Sequence, residues 1–64
     1  MPLVEVHLLE GRTDEQKEAL LKAITEAVRE SIKAPLPTIR VWIDEFSPKH
    51  YMIAGELKSQ MTES

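Results

Sequence analysis

The sequence predicts an α+β chain: a single βαβ unit followed by a short C-terminal hairpin. Three patterns predict it. From Leu3 to Leu9, Val4, Val6 and Leu8 alternate with Glu5 and His7, the period-two signature of a half-buried strand. Leu20, Ile24, Ala27, Val28 and Ile32 then recur at spacings of three and four, as on one face of a helix. From Thr38 to Phe46 the period returns to two, with Ile39, Val41 and Ile43 alternating with Arg40, Trp42 and Asp44.

The boundaries have their own chemistry. Glu10-Gly11-Arg12 breaks the first strand, and Thr13-Asp14-Glu15-Gln16 reads as a capping box, the Thr hydroxyl serving orphan amides while Gln16 reaches back. Lys17, Glu18, Lys22, Glu26, Arg29, Glu30 and Lys33 fill the other side of the helix and read as a solvated face with i,i+3 and i,i+4 charge pairs. Ala34-Pro35-Leu36-Pro37 ends the helix, because proline lacks an amide and disfavours helical geometry in the residue before it. After Ser47-Pro48-Lys49, the stretch His50 to Gly55 reads as a small strand or hairpin, and Glu56 to Ser64 as a turn and frayed polar tail. The whole, residues 1–64, is expected to be one domain with its polar tail from about residue 58.

Composition narrows the class. A chain of 64 residues buries only about 60% of the surface its unfolded form exposes, so its core is marginal. Such domains are reinforced by disulfides, a metal or oligomerisation. There is no cysteine, and His7 and His50 are too far apart in sequence to make a convincing ligand set, so no metal or cofactor is expected and oligomerisation remains. A net charge of -3 argues against a nucleic-acid surface. No apolar run reaches the roughly 18 residues of a membrane span, and no signal-peptide pattern opens the chain, which makes a cytoplasmic protein the default.

The βαβ order fixes where residues fall. Parallel strands start at one end, so Pro2 and Arg40 should share an edge, while Arg12 follows the far end of the first strand, more than about 20 Å from Pro2 at ~3.3 Å per residue. Any site using both Pro2 and Arg12 must draw them from different subunits. A two-stranded sheet with one helix also leaves a face uncovered, and Trp42 and Arg40 lie on it. An exposed tryptophan there calls for a partner surface, as in sheets packed or extended between subunits.

Met1-Pro2 is a good context for methionine removal, after which Pro2 would present a secondary amine. Its pKa is nearer neutrality than a lysine's, and burial and nearby cations lower it further, so it can serve as a base. The ordinary alternative is a proline tolerated at a strand start.

Taken together, the residues resemble the 4-oxalocrotonate tautomerase family, also called 2-hydroxymuconate tautomerases, over nearly the whole chain from Pro2 to about Lys58. The matching stretches are Pro2, His7-Leu8-Leu9-Glu10-Gly11-Arg12, Asp14-Glu15-Gln16-Lys17-Glu18, Ala34-Pro35-Leu36, Arg40-Val41 and Gly55-Glu56-Leu57. The resemblance implies the tautomerase (MIF-like) fold, assembled as a homohexamer (a trimer of dimers) with each site shared between subunits. It implies that Pro2 is the general base, moving a proton from one position of a 2-hydroxydienoate to another during the breakdown of aromatic compounds. Arg12 and Arg40 align with the arginines that bind the substrate and stabilise charge on its carbonyl side, a task that suits guanidinium groups. Arg40 would also depress the amine pKa. Leu9 corresponds to an apolar wall, and Tyr51 stands where the family often has a phenylalanine lining the pocket. His7 and His50 are given structural roles. Met52 and Ala54 replace glycines common in the family hairpin, Ser47-Pro48-Lys49 departs from the usual loop, and Trp42 occupies a position usually aliphatic.

Two other readings compete. One is hydration with dehalogenation or decarboxylation of a small acid, which usually needs an additional pocket carboxylate that is not evident here. The other is a catalytically silent subunit of a tautomerase-like hexamer.

Overall fold

The computed structural model describes residues 1–60 of the chain. Strand β1 (Leu3–Leu9) runs into helix α1 (Asp14–Ile32), which leads to β2 (Arg40–Phe46). β1 and β2 pair in parallel from Leu3↔Arg40 to Leu9↔Phe46. A small antiparallel pair follows, β3 (Met52–Ile53) with β4 (Glu56–Leu57).

Local chemistry accounts for the boundaries. Thr13 is extended (φ -75°, ψ 160°), its hydroxyl accepts from the Gln16 N–H at 3.1 Å, and the Gln16 side chain accepts from the Thr13 N–H at 3.0 Å, which completes the capping box. At the other end Lys33 takes a left-handed conformation, φ 59°, and Pro35 prevents continuation. Ala54 (φ 53°) and Gly55 (φ 85°) form the two-residue turn between β3 and β4, where both positions need positive φ to match the twist of the strands.

Several expected boundaries shift. β2 begins at Arg40 and not at Thr38: Leu36–Thr38 forms a 3₁₀ turn closed by the Thr38 N–H on the Pro35 carbonyl at 2.9 Å, a conformation that the fixed φ of Pro37 favours. His50 belongs to another 3₁₀ turn, Pro48–His50, capped by Ser47. The hairpin takes Glu56 and Leu57 as its second arm, and Lys58–Gln60 is a 3₁₀ turn rather than a frayed tail. The rest of the expected tail lies outside the described residues.

Alternation works as expected in β1: Val4, Val6 and Leu8 are partly covered while Leu3, Glu5 and His7 are exposed. On α1, Leu20, Leu21, Ile24, Thr25 and Val28 are partly covered, but Ala27 and Ile32 are exposed, contrary to the expected stripe. Length explains Ile32. A helix of 19 residues is about 28 Å long, whereas a strand of seven spans about 23 Å, so the last turn outruns its sheet. Lys17 also leaves the solvated face predicted for it. Its ammonium meets Glu45 of β2 at 3.0 Å with side-chain exposures of 22% and 29%, tying the first turns of the helix to the end of the strand.

The core is unfinished. Among the described residues none is buried, and Leu3 and Trp42 stay 63% and 43% exposed on the sheet face away from the helix. The radius of gyration is 15.0 Å, whereas a compact chain of this length would have about 11 Å. The accessible surface, 5026 Å², exceeds the roughly 4,200 Å² typical of this mass. The protomer thus carries an apolar surface that its own chain does not cover.

Candidate active site

The five residues singled out in the sequence fall into two groups at opposite ends of the sheet. At the starting end, the Arg40 N–H donates to the Pro2 carbonyl at 3.1 Å, extending the β1–β2 pairing by one bond and placing Pro2 beside Arg40. The Arg40 guanidinium donates to the Pro37 carbonyl at 2.7 Å, so the turn before β2 holds this side chain while the guanidinium keeps further donors for an anion. Met1 is 79% exposed, and its peptide bond makes the Pro2 nitrogen an amide.

Leu9, Arg12 and Tyr51 gather at the far end. The Arg12 guanidinium donates to the Leu9 carbonyl at 3.3 Å, and Gly11 (φ 129°) supplies the backbone reversal between them. Leu9 pairs with Phe46, whose ring meets Tyr51 edge to face with centroids 5.0 Å apart and planes at 64°. The Tyr51 carbonyl accepts from the Lys58 N–H at 2.8 Å, which ties the residue to the end of the hairpin. Sequence reasoning anticipated the separation of Pro2 from Arg12. It missed Phe46 as the platform for Tyr51, although an aromatic at the end of β2 five residues before another aromatic was a usable signal.

A groove of about 530 Å³ opens between α1 and β2, lined by Leu21, Thr25, Ile39 and Val41 with Glu18, Lys22 and Glu26 at its rim. None of the five candidate residues lines it. A carboxylate could meet Arg40 at one end of this protomer or Arg12 at the other, but one small substrate cannot meet both within a single chain, because seven strand residues separate the ends by about 23 Å.

The charges around these residues do different work. Lys17 is held above the ordinary lysine value of 10.5, chiefly by its hydrogen bond to Glu45 and further by the charges of Glu45 and Asp14, against a partial desolvation that opposes it. This is a structural pair on the helix side of the sheet. Lys22 with Glu18 and Arg29 with Glu26 are the expected exposed helix pairs, at 3.5 and 2.9 Å.

Comparison with known proteins identifies the family. The profile of the family described as "Tautomerase enzyme" matches residues 2–61. A 2-hydroxymuconate tautomerase of Pseudomonas putida is 48% identical over 61 residues, 95% of this chain and 97% of that protein. One of Bacillus subtilis (strain 168) is 49% identical over 61 residues, covering 95% and 98%. Among solved structures, YwhB, a homologue of 4-oxalocrotonate tautomerase, superposes with a TM-score of 0.89 at 48% identity, over 94% of this chain and 98% of that one. A heterohexamer 4-oxalocrotonate tautomerase from Chloroflexus aurantiacus J-10-fl gives a TM-score of 0.88 at 33% identity, over 95% and 98%. With its βαβ unit, its small hairpin and this similarity along nearly its whole length, the chain belongs to the tautomerase family of isomerases.

Proposed function

We propose that this tautomerase ketonises a 2-hydroxymuconate-type dienol to the conjugated 2-oxo acid, with Pro2 as general base once Met1 has been removed. The Pro2 nitrogen takes the proton of the 2-hydroxyl, the C–O bond becomes a carbonyl as the electron pair moves along the diene, and a proton is returned at the distal carbon. Proton count and charge are unchanged overall. Arg40 and Arg12 hold the carboxylates and the oxygen on which charge develops, where guanidinium donors stabilise the transition state more than the ground state. Leu9 and Tyr51 line the pocket and limit water. No cofactor enters the reaction.

The observation that carries this reading is the 48% identity to a protein named 2-hydroxymuconate tautomerase along nearly the full chain. Homohexameric assembly, a trimer of dimers in which one subunit supplies Pro2 and another Arg12, accounts for the distance between the two ends of the sheet and for the exposed Leu3 and Trp42. The assignment of a single domain and a cytoplasmic location goes with it. A second reading, a silent subunit of a mixed hexamer, is favoured by the similarity to a heterohexamer.

One experiment separates them. Intact mass establishes the loss of Met1, and the purified chain is assayed spectroscopically with 2-hydroxymuconate. Turnover by the processed chain, lost in Pro2→Ala with the assembly intact, supports the proposal; full activity with Met1 still attached, or none in the processed homo-oligomer, sinks it.

A further inference from the structure

The open face of the sheet carries a second cluster that the tautomerase chemistry does not use. Glu5, His7 and Asp44 each offer a donor atom, and those atoms all lie within 4.8 Å of one another. His7 stands between the two carboxylates, Nδ1 at 3.5 Å from Asp44 and Nε2 at 3.9 Å from Glu5. The sheet register builds the group: His7 is paired with Asp44 across the strands, and Glu5 is two residues from His7 on the same face of β1. Sequence spacing alone does not show it, because Asp44 is 37 positions from His7 in the chain.

The contacts of this cluster differ from the lysine and arginine pairs found among the described residues. Asp14, Glu18, Glu26 and Glu45 each meet a lysine or arginine, whereas the near contacts of Glu5 and Asp44 both run to His7, which pairs with them as an ion only when protonated. A neutral imidazole leaves two carboxylates side by side without a compensating cation. A divalent ion would compensate them. One imidazole nitrogen and two carboxylate oxygens are a donor set for a borderline ion such as Zn²⁺ or Co²⁺, with bonds near 2.0–2.2 Å. Tetrahedral donors on such bonds lie roughly 3.4 Å apart, so one nitrogen of His7 and the two carboxylates, which lie within 4.8 Å of one another, must draw closer to hold an ion. The three side chains are 42% to 61% exposed, so small rotations suffice to close on an ion and solvent can supply the fourth ligand.

We propose that Glu5, His7 and Asp44 form a divalent-metal site, selective for zinc-like ions, that staples β1 to β2 on the face away from the helix. The ion has a structural role. It links the two strands of a chain with no cysteine and an incomplete core, the circumstance in which small domains rely on a metal. All three donors come from one chain, so the site does not rest on the proposed catalytic reading.

The test is titration of the full-length protein with Zn²⁺ by calorimetry, and with Co²⁺ followed by visible absorption and by emission of Trp42. Trp42 is the chain's one tryptophan and lies opposite Glu5 in the register. The ion is supplied both to the native protein and during refolding from denaturant, so that a covered face does not hide the site. One ion per chain, quenching of Trp42 by Co²⁺, a raised Tm with Zn²⁺, and affinity at least tenfold weaker in both His7→Gln and the isosteric pair Glu5→Gln with Asp44→Asn are expected, with His50→Gln binding as the wild type. No saturable binding by either route, or undiminished binding by the Glu5→Gln, Asp44→Asn double variant, overturns the proposal.

Discussion

The amide of Arg40 donates to the carbonyl of Pro2 at 3.1 Å, so the first residue of β2 and the candidate base are joined by backbone rather than by side chains. Because the register begins here, with Leu3 against Arg40, a side-chain substitution at position 40 can remove the guanidinium without moving Pro2. Arg40→Ala is therefore expected to lower kcat/KM by about 10²–10³-fold, the usual cost of losing a charge-stabilising donor, while far-UV circular dichroism and assembly size stay unchanged. Steady-state kinetics alongside sedimentation checks this.

Arg12 lies at the other end of the same sheet, hydrogen-bonded to the Leu9 carbonyl at 3.3 Å. If sites are shared, Pro2→Ala chains and Arg12→Ala chains, each nearly inactive alone, should regain part of the wild-type rate after being unfolded and reassembled together, since some sites then draw an intact proline from one chain and an intact arginine from another. Activity that remains at the level of the separate variants in a proven mixed assembly would falsify the sharing.

Tyr51 leans edge to face on Phe46. Tyr51→Phe keeps the ring pair and should retain stability, whereas Tyr51→Ala should lose about 0.5–1.5 kcal/mol from the aromatic pair in addition to the area it covers. Thermal unfolding of the two variants reads the difference, and a large loss in Tyr51→Phe would mean that the hydroxyl matters more than the ring.

Ala54 holds φ 53° in the turn between β3 and β4, a conformation in which a side chain costs roughly 1–2 kcal/mol and glycine does not. Glycine gives up part of that through its greater freedom when unfolded. The expected balance for Ala54→Gly is a stabilisation of about 0.5–1 kcal/mol, measurable as a higher Tm, with activity unchanged.

Lys17 and Glu45 supply a pH dependence. The lysine is raised above 10.5 in the folded protein, so the pair's contribution is complete below that value and is lost as pH climbs through the raised one. Between pH 10 and 12 the wild type should lose stability more steeply than Lys17→Met, and the two curves should run parallel around neutrality. Parallel curves up to pH 12 would show that the pair contributes nothing.

The order of elements was legible in the residues because it rests on local periodicity. Alternation of Val4, Val6 and Leu8, the Thr13 and Gln16 cap, and the proline stop after Ala34 each act within a few residues, and each holds in the fold. The parallel order also sets Pro2 and Arg12 apart, since strand rise alone fixes that distance. Whatever depended on neighbours distant in the chain was decided by packing. Lys17 looked like one more solvated lysine until β2 brought Glu45 to it, Ile32 looked like core until the helix proved longer than its sheet, and Tyr51 acquired its place from Phe46. Asp44 reached His7 only through the register of two parallel strands, an alignment that no spacing in the sequence encodes. The sequence by itself determined which segments become strand and helix; the tertiary structure decided which side chains meet, because meeting across a crossover is set by strand register and by how much of the helix the sheet can cover.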